Sequence, residues 1–311
     1  MPAGQAARHD GMSPAKSPIT PGGPLSTAVV ALFVRWLRWL SPASRDALAR
    51  FAGSLAWRLG IRRGVALDNL RHAFPEKAED ERRAIAKGAY VSLTRAVLES
   101  VTSDLVPDAT LSGANGGPLE AVLKSKTGVL LASAHLGSWE LFAEVMSRRG
   151  YPFNAVVRPL KGAFNAYIVE SRRKAGIELI LPKGAVASVT EAVSRGETVV
   201  QLVDQSVPGN KGVFVPFFGR LASTTPALST VALRTGKPLF VVLSVRENNG
   251  LRMFVEGPVP MPNTGDARRD VAAQVAATTQ IIERYVRRYP EQWLWLHRRW
   301  KEKPPPEPIA R

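Results

Sequence analysis

Short apolar runs alternate with amphipathic stretches through the middle of the chain. The apolar runs have the length and the valine and leucine content of buried strands, and they lie near Gly128–Ala134, Phe153–Val157, Glu178–Leu181 and Thr198–Val203. Between them run segments of helical periodicity, near Ser138–Arg148, Phe164–Lys174 and Val186–Ser194. Alternating strands and helices connected by right-handed crossovers form parallel sheets. The pattern therefore predicts an α/β fold with a largely parallel sheet flanked by helices.

The later part of the chain continues this architecture. A helix is predicted near Ala227–Thr235, and two strands, Leu239–Arg246 and Leu251–Glu256, are joined by an Asn-Asn-Gly turn. A last helix is predicted from about Asp266 to Tyr289. One catalytic domain, residues 63–303, accounts for these elements, and residues 304–311 form a short C-terminal tail.

Two different segments precede this domain. Residues 1–24 are rich in Pro, Gly, Ala and Ser, which predicts a disordered tail. Residues 25–62 predict amphipathic helices that associate with a membrane, because tryptophans and arginines border the apolar positions. In the first helix the apolar face consists of Val30, Phe33, Val34, Leu37 and Leu40, with Arg35 and Arg38 on another face. The alternative is a helix packed on the core with its arginines in solvent.

Composition narrows the choice of partner and chemistry. Forty-two Lys and Arg residues against 26 Asp and Glu give a net charge of +16, which indicates an anionic partner such as nucleic acid, anionic lipid or an acidic carrier protein. The chain has no cysteine, which excludes disulfides and a cysteine nucleophile. Its four histidines lack metal-ligand spacing, so we expect no metal and no other cofactor.

His135 is the leading candidate for chemistry. It ends the first core strand and is followed by Gly137 and the start of a helix that carries Glu140. Ligands bind at the carboxyl edge of such sheets, where strand ends and helix N-termini converge. Downstream, Asp204 and Gln205 end another core strand with polar residues, so both are expected to face the crevice. The alternative interpretation of His135 and Glu140 is a loop histidine beside a glutamate at the start of a helix, without a catalytic role.

His135 and Glu140 match the H-x4-D/E motif of the glycerolipid acyltransferases, and the longer match resembles the bacterial lipid A late acyltransferases. Further similarity lies in Asn69-Leu70 and Phe74-Pro75-Glu76, in the block around Arg158, in residues 212–219, and in the segment Tyr289–Lys301. Trp293 and Trp300 stand where the family pattern has Tyr and Phe.

The resemblance implies direct acyl transfer from acyl carrier protein or acyl-CoA to a glycolipid, such as a lipid A precursor, at the cytoplasmic face of the inner membrane. His135 would be the general base and Glu140 would orient its ring. The oxyanion would be stabilised by backbone N–H groups near Gly137, and Arg158, Asp204 and Gln205 would bind substrate. Alternative acceptors are a lysophospholipid or a phosphatidylinositol mannoside. A basic nucleic-acid-binding protein is a different class, but the sequence carries no motif for it, and we expect no nucleic acid partner.

Overall fold

The computed structural model describes residues 23–105, 111–112, 117–148, 150–151, 153–158, 161–247 and 250–305. Within these ranges a seven-stranded sheet has the order β1-β9-β8-β2-β5-β3-β4. Its strands are β1 (Leu111–Ser112), β2 (Val129–Ser133), β3 (Phe153–Val156), β4 (Ile177–Ile180), β5 (Thr198–Leu202), β8 (Leu239–Glu247) and β9 (Gly250–Glu256). From β4 to β8 the strands run parallel, whereas β9 pairs antiparallel with β8. The predicted α/β fold with a largely parallel sheet is confirmed.

A separate hairpin was not predicted. It consists of β6 (Val213–Phe217) and β7 (Arg220–Thr224), which pair antiparallel outside the main sheet. In the sequence, residues 212–219 indicate only a block that resembles the family, whose aromatic residues fit either an acyl-chain channel or the core. The turn predicted between the last two strands falls at residues 248–249, which lie outside the described residues.

Helices cover both faces of the sheet. They are α1 (Pro24–Trp39), α2 (Pro42–Arg58), α3 (Arg63–Ala73), α4 (Glu79–Ser100), α5 (Gly117–Ser125), α6 (Trp139–Arg148), α7 (Ala163–Lys174), α8 (Ala185–Ser194), α9 (Ala227–Thr235) and α10 (Ala267–Arg288). Side chains alternate across β2, so Leu130 and Ala132 join one buried cluster while Val129 and Leu131 join another. Apolar packing on both faces leaves the carboxyl edge of the parallel strands as the place for polar residues.

The first two helices pack on the domain with one face and expose another. In α1, Val34 and Leu37 are buried in a cluster with Ala49 of α2 and Leu98 of α4, and this cluster contacts α7. These two residues belong to the face that was expected to meet a membrane, so that expectation was wrong for them. The exposed large apolar side chains of α1 form a stripe that shares Phe33 with the predicted face and otherwise differs from it, at Leu25, Val29, Leu32, Phe33, Trp36 and Trp39.

The second helix is held close to the domain by a glycine. A Cβ at Gly53 would lie 2.7 Å from the backbone of Val91 in α4, so the two helices could not approach as they do with any larger residue. The opposite side of α2 exposes Phe51 and Leu55, with Leu59 directly after the helix. Among the described residues, no helix combines the length and apolar character needed to cross a bilayer.

The two predicted tails coincide only in part with the described ranges. Pro24, the last residue of the predicted N-terminal tail, is the first residue of α1. Residues 1–22 and 306–311 lie outside the described residues.

Candidate active site

His135 follows β2 at the carboxyl edge of the sheet, as predicted. β2 is buried along its whole length and lies between β5 and β8. The chain then turns sharply, since the N–H of Leu136 donates to the carbonyl of Ala134 at 2.7 Å. The side chain of His135 is 20% exposed, so its ring can be reached from the crevice.

Asp204 is the carboxylate that contacts this ring. It comes two residues after β5, the neighbour of β2, and its Oδ1 lies 2.8 Å from Nδ1 of His135. Its Oδ2 accepts the main-chain N–H of His135 at 2.9 Å. With a side chain only 2% exposed, Asp204 does not face the crevice as the sequence predicted. It turns inward because parallel neighbouring strands place the two residues side by side.

This contact determines which ring nitrogen carries the proton. A carboxylate only accepts hydrogen bonds, so Nδ1 donates and Nε2 keeps its lone pair. Burial acts to raise the pKa of Asp204, but the charge of His135 and the hydrogen bonds to the carboxylate outweigh burial and hold that pKa below its ordinary value. The side-chain nitrogen of Gln205 lies 3.3 Å from Nε2 of His135, and with this tautomer its amide N–H donates to the Nε2 lone pair. Gln205 therefore does lie at the accessible nitrogen of the ring.

Glu140 contacts other partners than the expected one. It lies in the first turn of α6 and receives two hydrogen bonds from the guanidinium of Arg172 in α7, at 2.5 and 3.1 Å. Its Oε1 also accepts the indole N–H of Trp139 at 3.0 Å, and the Trp139 ring lies 5.3 Å from the ring of His135 between centroids. The expected hydrogen bond from a ring N–H of His135 to Glu140 is replaced by this indirect contact, since Nδ1 is bonded to Asp204.

Gly137 has a structural reason to be glycine. Its φ of 59° lies in the left-handed region, and a Cβ there would lie 2.2 Å from the carbonyl oxygen of Ser244. Its N–H donates to the carbonyl of Gln292 at 3.0 Å, and the N–H of Ser138 donates to Ser244 at 3.0 Å. Both groups were expected to be available for an oxyanion, but both are engaged because the turn packs against the end of β8.

Arg158 is farther from His135 than the order of strands in the chain suggests. It lies two residues beyond β3 and is exposed. β5 separates β3 from β2, so two strand spacings of about 4.8 Å intervene at the sheet edge. Its guanidinium makes no hydrogen bond or ion pair with the described residues, which leaves it available to an anion in the crevice.

A partly buried ion pair supports the turn after His135. The guanidinium of Arg246 in β8 and the hydroxyl of Ser138 both bond to the carboxylate of Glu99 in α4. Burial lowers the pKa of Arg246, and the charge of Glu99 opposes this shift. The hydroxyl of Ser133 donates to the carbonyl of Val242 at 2.7 Å. The hydroxyls of the two serines nearest to His135 in the sequence are thus used within the protein.

Two residues of the site, Trp293 and His297, belong to the C-terminal segment Tyr289–Lys301. The sequence predicts no role for either of them. The indole N–H of Trp293 donates to Oδ2 of Asp204 at 2.8 Å. Nε2 of His297 accepts the N–H of Ser206 at 3.0 Å, and burial lowers the pKa of His297 to about 4. Neither contact could be predicted from spacing, because about ninety residues separate the partners. Among the described residues, no three His, Asp or Glu side chains are grouped as metal ligands would be.

The family model of the bacterial lipid A biosynthesis acyltransferases matches residues 25–302. The chain belongs to this family. The resemblance drawn from the motifs is confirmed, and the protein is an acyltransferase. The geometry above is therefore the geometry of a lipid A acyltransferase family member, with His135 at the edge of its sheet.

Named relatives of this acyltransferase cover most of its length. It is 26% identical to the lipid A biosynthesis palmitoleoyltransferase of Escherichia coli (strain K12) over 252 residues, which are 78% of this chain and 80% of the relative. It is also 26% identical to the lauroyltransferase of the same organism over 260 residues, 81% and 83% of the two chains. A phosphatidylinositol mannoside acyltransferase of Mycolicibacterium smegmatis is 26% identical over 186 residues, 58% of this chain and 60% of the relative.

Proposed function

We propose that this acyltransferase moves a fatty acyl chain from an acyl thioester to a hydroxyl group of a glycolipid, with a lipid A precursor as the acceptor. The observation that carries the proposal is the His135–Asp204 pair. A buried carboxylate fixes the proton on Nδ1 and leaves the Nε2 lone pair at an accessible ring edge. This is the arrangement that a general base for an alcohol needs.

The reaction proceeds in two steps without an acyl-enzyme. Nε2 of His135 takes the proton of the acceptor hydroxyl as its oxygen attacks the thioester carbonyl, and Asp204 stabilises the resulting imidazolium. The tetrahedral intermediate then collapses, the carbon–sulfur bond breaks, and the imidazolium protonates the departing thiolate. Direct transfer is supported by the hydroxyls of Ser133 and Ser138, since both are engaged within the protein.

Gln205 is the group that we assign to the developing oxyanion. Its amide nitrogen lies 3.3 Å from Nε2 of His135, and in this proposal the amide N–H leaves Nε2 to the acceptor hydroxyl and turns to the oxygen of the attacked carbonyl. An amide donor at such a position stabilises charge that appears only in the transition state. Gly137 serves the turn itself, since its N–H is bound by Gln292.

Glu140 contributes to catalysis through Trp139 in this proposal. The Arg172–Glu140 pair holds the indole of Trp139, which packs against the imidazole. The site thus has two carboxylates with different roles. Asp204 bonds to the ring nitrogen of His135, and Glu140 holds the indole of Trp139 that packs against this ring. Arg158 provides a free positive charge for a phosphate of the donor or acceptor.

The donor and acceptor classes follow from chemistry and from the relatives' names. Acyl carrier protein and coenzyme A both present the acyl group on phosphopantetheine, and the net charge of +16 suits either anionic donor. The names of the E. coli relatives favour lipid A precursors as acceptors. The mycobacterial relative makes a phosphatidylinositol mannoside the second candidate acceptor.

The exposed apolar side chains of α1 and α2 support peripheral or monotopic binding to an anionic membrane, which we propose is the cytoplasmic face of the inner membrane. Residues 23–63 contain seven arginines and one acidic residue, Asp46. Trp36 and Trp39 are 48% and 82% exposed, an arrangement suited to the headgroup region.

The test is acyl transfer by the purified full-length protein in mixed micelles. Lipid A precursor, phosphatidylinositol mannoside and lysophospholipid are each offered with acyl carrier protein or CoA thioesters, and products are identified by mass spectrometry. We expect the lipid A precursor to gain the mass of one acyl chain with wild type and none with His135→Gln. Acylation of one of the other acceptors alone would replace the proposed substrate, and acylation of every acceptor by His135→Gln would overturn the mechanism.

A further inference from the structure

The second oxygen of Asp204 is held as firmly as the first. Oδ2 accepts the main-chain N–H of His135 at 2.9 Å and the indole N–H of Trp293 at 2.8 Å. Trp293 is 1% exposed, so this indole is as inaccessible to water as the carboxylate it contacts. The carboxylate that orients His135 is therefore itself oriented by a tryptophan.

The segment around Trp293 also grips the backbone of the His135 turn. The N–H of Leu294 donates to the carbonyl of His135 at 3.1 Å, and Trp293 forms a β-bridge with Leu136. Trp293 is thus fixed to both members of the pair, through its ring to Asp204 and through its backbone to the turn. An indole fixed in this way keeps the carboxylate plane aligned with the imidazole.

We propose that Trp293 is a positioning residue that sets the basicity of His135 through Asp204. The inference rests on the proposed function for its catalytic meaning, but its effect on the imidazole does not. An indole N–H is a donor only, so it stabilises the negative charge of the carboxylate and cannot accept a proton from His135.

The direction of the effect follows from electrostatics. Without the indole N–H, the charge on Asp204 would be less neutralised and would stabilise the imidazolium more strongly. The imidazole of His135 would then be the stronger base, because a buried charge beside it has lost one hydrogen bond. Other charged and titratable groups of the surroundings are His297 and Arg299 in the C-terminal segment, and Glu140 and Arg172 behind Trp139.

Trp295 offers a matched control. It is 0% exposed, its ring lies 4.6 Å from that of Trp293 between centroids, and its indole N–H donates to the carbonyl of Pro290 at 2.6 Å. Trp295→Phe and Trp293→Phe therefore remove the same atoms from the same core. They differ in whether the lost hydrogen bond belonged to Asp204.

The decisive measurement is the titration of His135 by ¹⁵N nuclear magnetic resonance of histidine-labelled full-length protein, with the resonance assigned by its loss in His135→Gln. We expect both phenylalanine variants to lower the melting temperature, and only Trp293→Phe to raise the His135 pKa. An unchanged His135 pKa in Trp293→Phe, or an equal rise in Trp295→Phe, would overturn the proposal. The kcat/KM acid limb of the acyl transfer reaction should shift by the same amount.

A wild-type measurement covers the case in which Trp293→Phe does not fold. The indole N–H resonance of Trp293 should change position with the same midpoint as the His135 ring, whereas that of Trp295 should not. A Trp293 indole resonance that does not change with the titration of His135 would refute the proposed coupling between Trp293 and His135. Coupling without acyl transfer by the wild-type protein would instead reject the proposed function and leave the inference on Trp293 in place.

Discussion

Nδ1 of His135 and Oδ1 of Asp204 lie 2.8 Å apart although 69 residues separate them in the chain. The contact exists because β2 and β5 are parallel neighbours and both residues follow the ends of these strands. Parallel strands paired in register bring their carboxyl ends to one edge, and the first polar residues beyond them meet there. The site is thus a consequence of strand order more than of any local motif.

Removal of the imidazole is the first test of this site. His135→Gln should lower the rate of acyl transfer by about 10²–10⁴-fold, the usual contribution of a general base. Initial rates with the identified donor and acceptor measure this loss. His72→Gln is a suitable control, because His72 packs against Trp300 and has no contact with Asp204. Wild-type turnover in His135→Gln would remove this residue from the mechanism.

The two carboxylates can be ranked by isosteric substitution. Asp204→Asn removes the charge that stabilises the imidazolium and leaves an amide that can hold the wrong tautomer, so we expect a loss of roughly 10²–10⁴-fold in kcat. Glu140→Gln can keep its bond to Trp139 but weakens the pair with Arg172, so we expect a loss of about tenfold. Steady-state kinetics of both variants decide the order. The opposite order would identify Glu140 as the orienting carboxylate, as the sequence motif predicted.

The difference between predicted and observed partners has a physical cause. The hydrophobic pattern correctly predicted β2, β5 and the helices between them, because strands buried on both faces require continuous apolar runs. It also placed His135 at a strand end. The order of strands in the sheet is not written in periodicity, and so the inward turn of Asp204 and the separation of Arg158 from His135 were missed. The spacing of Glu140 from His135 indicated proximity but not that Arg172 would claim the carboxylate.

The contacts of the C-terminal segment were also not predictable from the sequence. Its motif, Tyr289–Lys301, was the most specific part of the resemblance, yet the contacts of Trp293 and His297 with the Asp204 loop depend on how α10 returns the chain to the sheet. Asn69 of α3 completes this arrangement by donating to the carbonyls of Trp295 and His297 at 2.8 and 2.7 Å. The sequence around Asn69 predicts only a structural helical hairpin.

The apolar stripe of α1 predicts membrane binding that a few substitutions can abolish. Leu32→Glu combined with Trp36→Glu should weaken binding to vesicles by at least about tenfold, since each exposed apolar side chain contributes roughly 1.5–3 kcal/mol when buried. Sedimentation with vesicles of phosphatidylglycerol and phosphatidylcholine measures this change. These positions are exposed, so the domain should keep its melting temperature.

Leu221→Glu is the matched control for this experiment, because Leu221 is 40% exposed in β7, outside α1 and α2. Equal loss of binding in the control would mean that added negative charge alone is responsible. Unchanged binding of the double variant would mean that α1 is merely a cover for the core. Substitution is preferable to truncation here, because Val34 and Leu37 of α1 are part of a buried cluster.

His297 predicts a dependence of stability on pH. Burial lowers its folded-state pKa to about 4, while in the unfolded chain it titrates near 6.5. Between these values the unfolded state binds more protons, so the free energy of unfolding should fall as pH decreases from about 6.5 to about 4, by roughly 2 kcal/mol after allowance for partial exposure. The lowered pKa of Asp204 acts only below its ordinary value of 3.8, outside this window.

Urea unfolding at pH 7 and pH 5 isolates this contribution when wild type is compared with His297→Gln. The variant should lose less stability than wild type between the two pH values. His72, whose pKa burial also lowers, contributes to both proteins and cancels in the comparison. An identical change in both proteins would show that His297 titrates normally in the folded state.

Arg158 predicts a change in substrate affinity. Both the phosphopantetheine donor and a phosphorylated glycolipid carry phosphate, and an exposed guanidinium at the sheet edge can hold one phosphate by two parallel hydrogen bonds. Lysine keeps the charge but loses this planar fork. Arg158→Lys should therefore raise the Michaelis constant of one substrate by about tenfold with little change in kcat, which is the result expected for a ground-state contact.

Arg173→Lys is the control for this prediction. Arg173 is also exposed, but it lies in the last turn of α7, so its replacement reports the general effect of an arginine-to-lysine change. A raised Michaelis constant in Arg158→Lys alone would place a phosphate near the end of β3, two strands from His135. A fall in kcat at constant Michaelis constant would mean that Arg158 acts on the transition state, and the strand order makes that outcome the less expected one. Unchanged kinetics for both substrates would leave Arg158 a solvated loop residue. The phosphate site would then have to be sought at Arg220 or Arg298, since the third candidate, Arg299, is buried and bonded to Ser223 and Thr224.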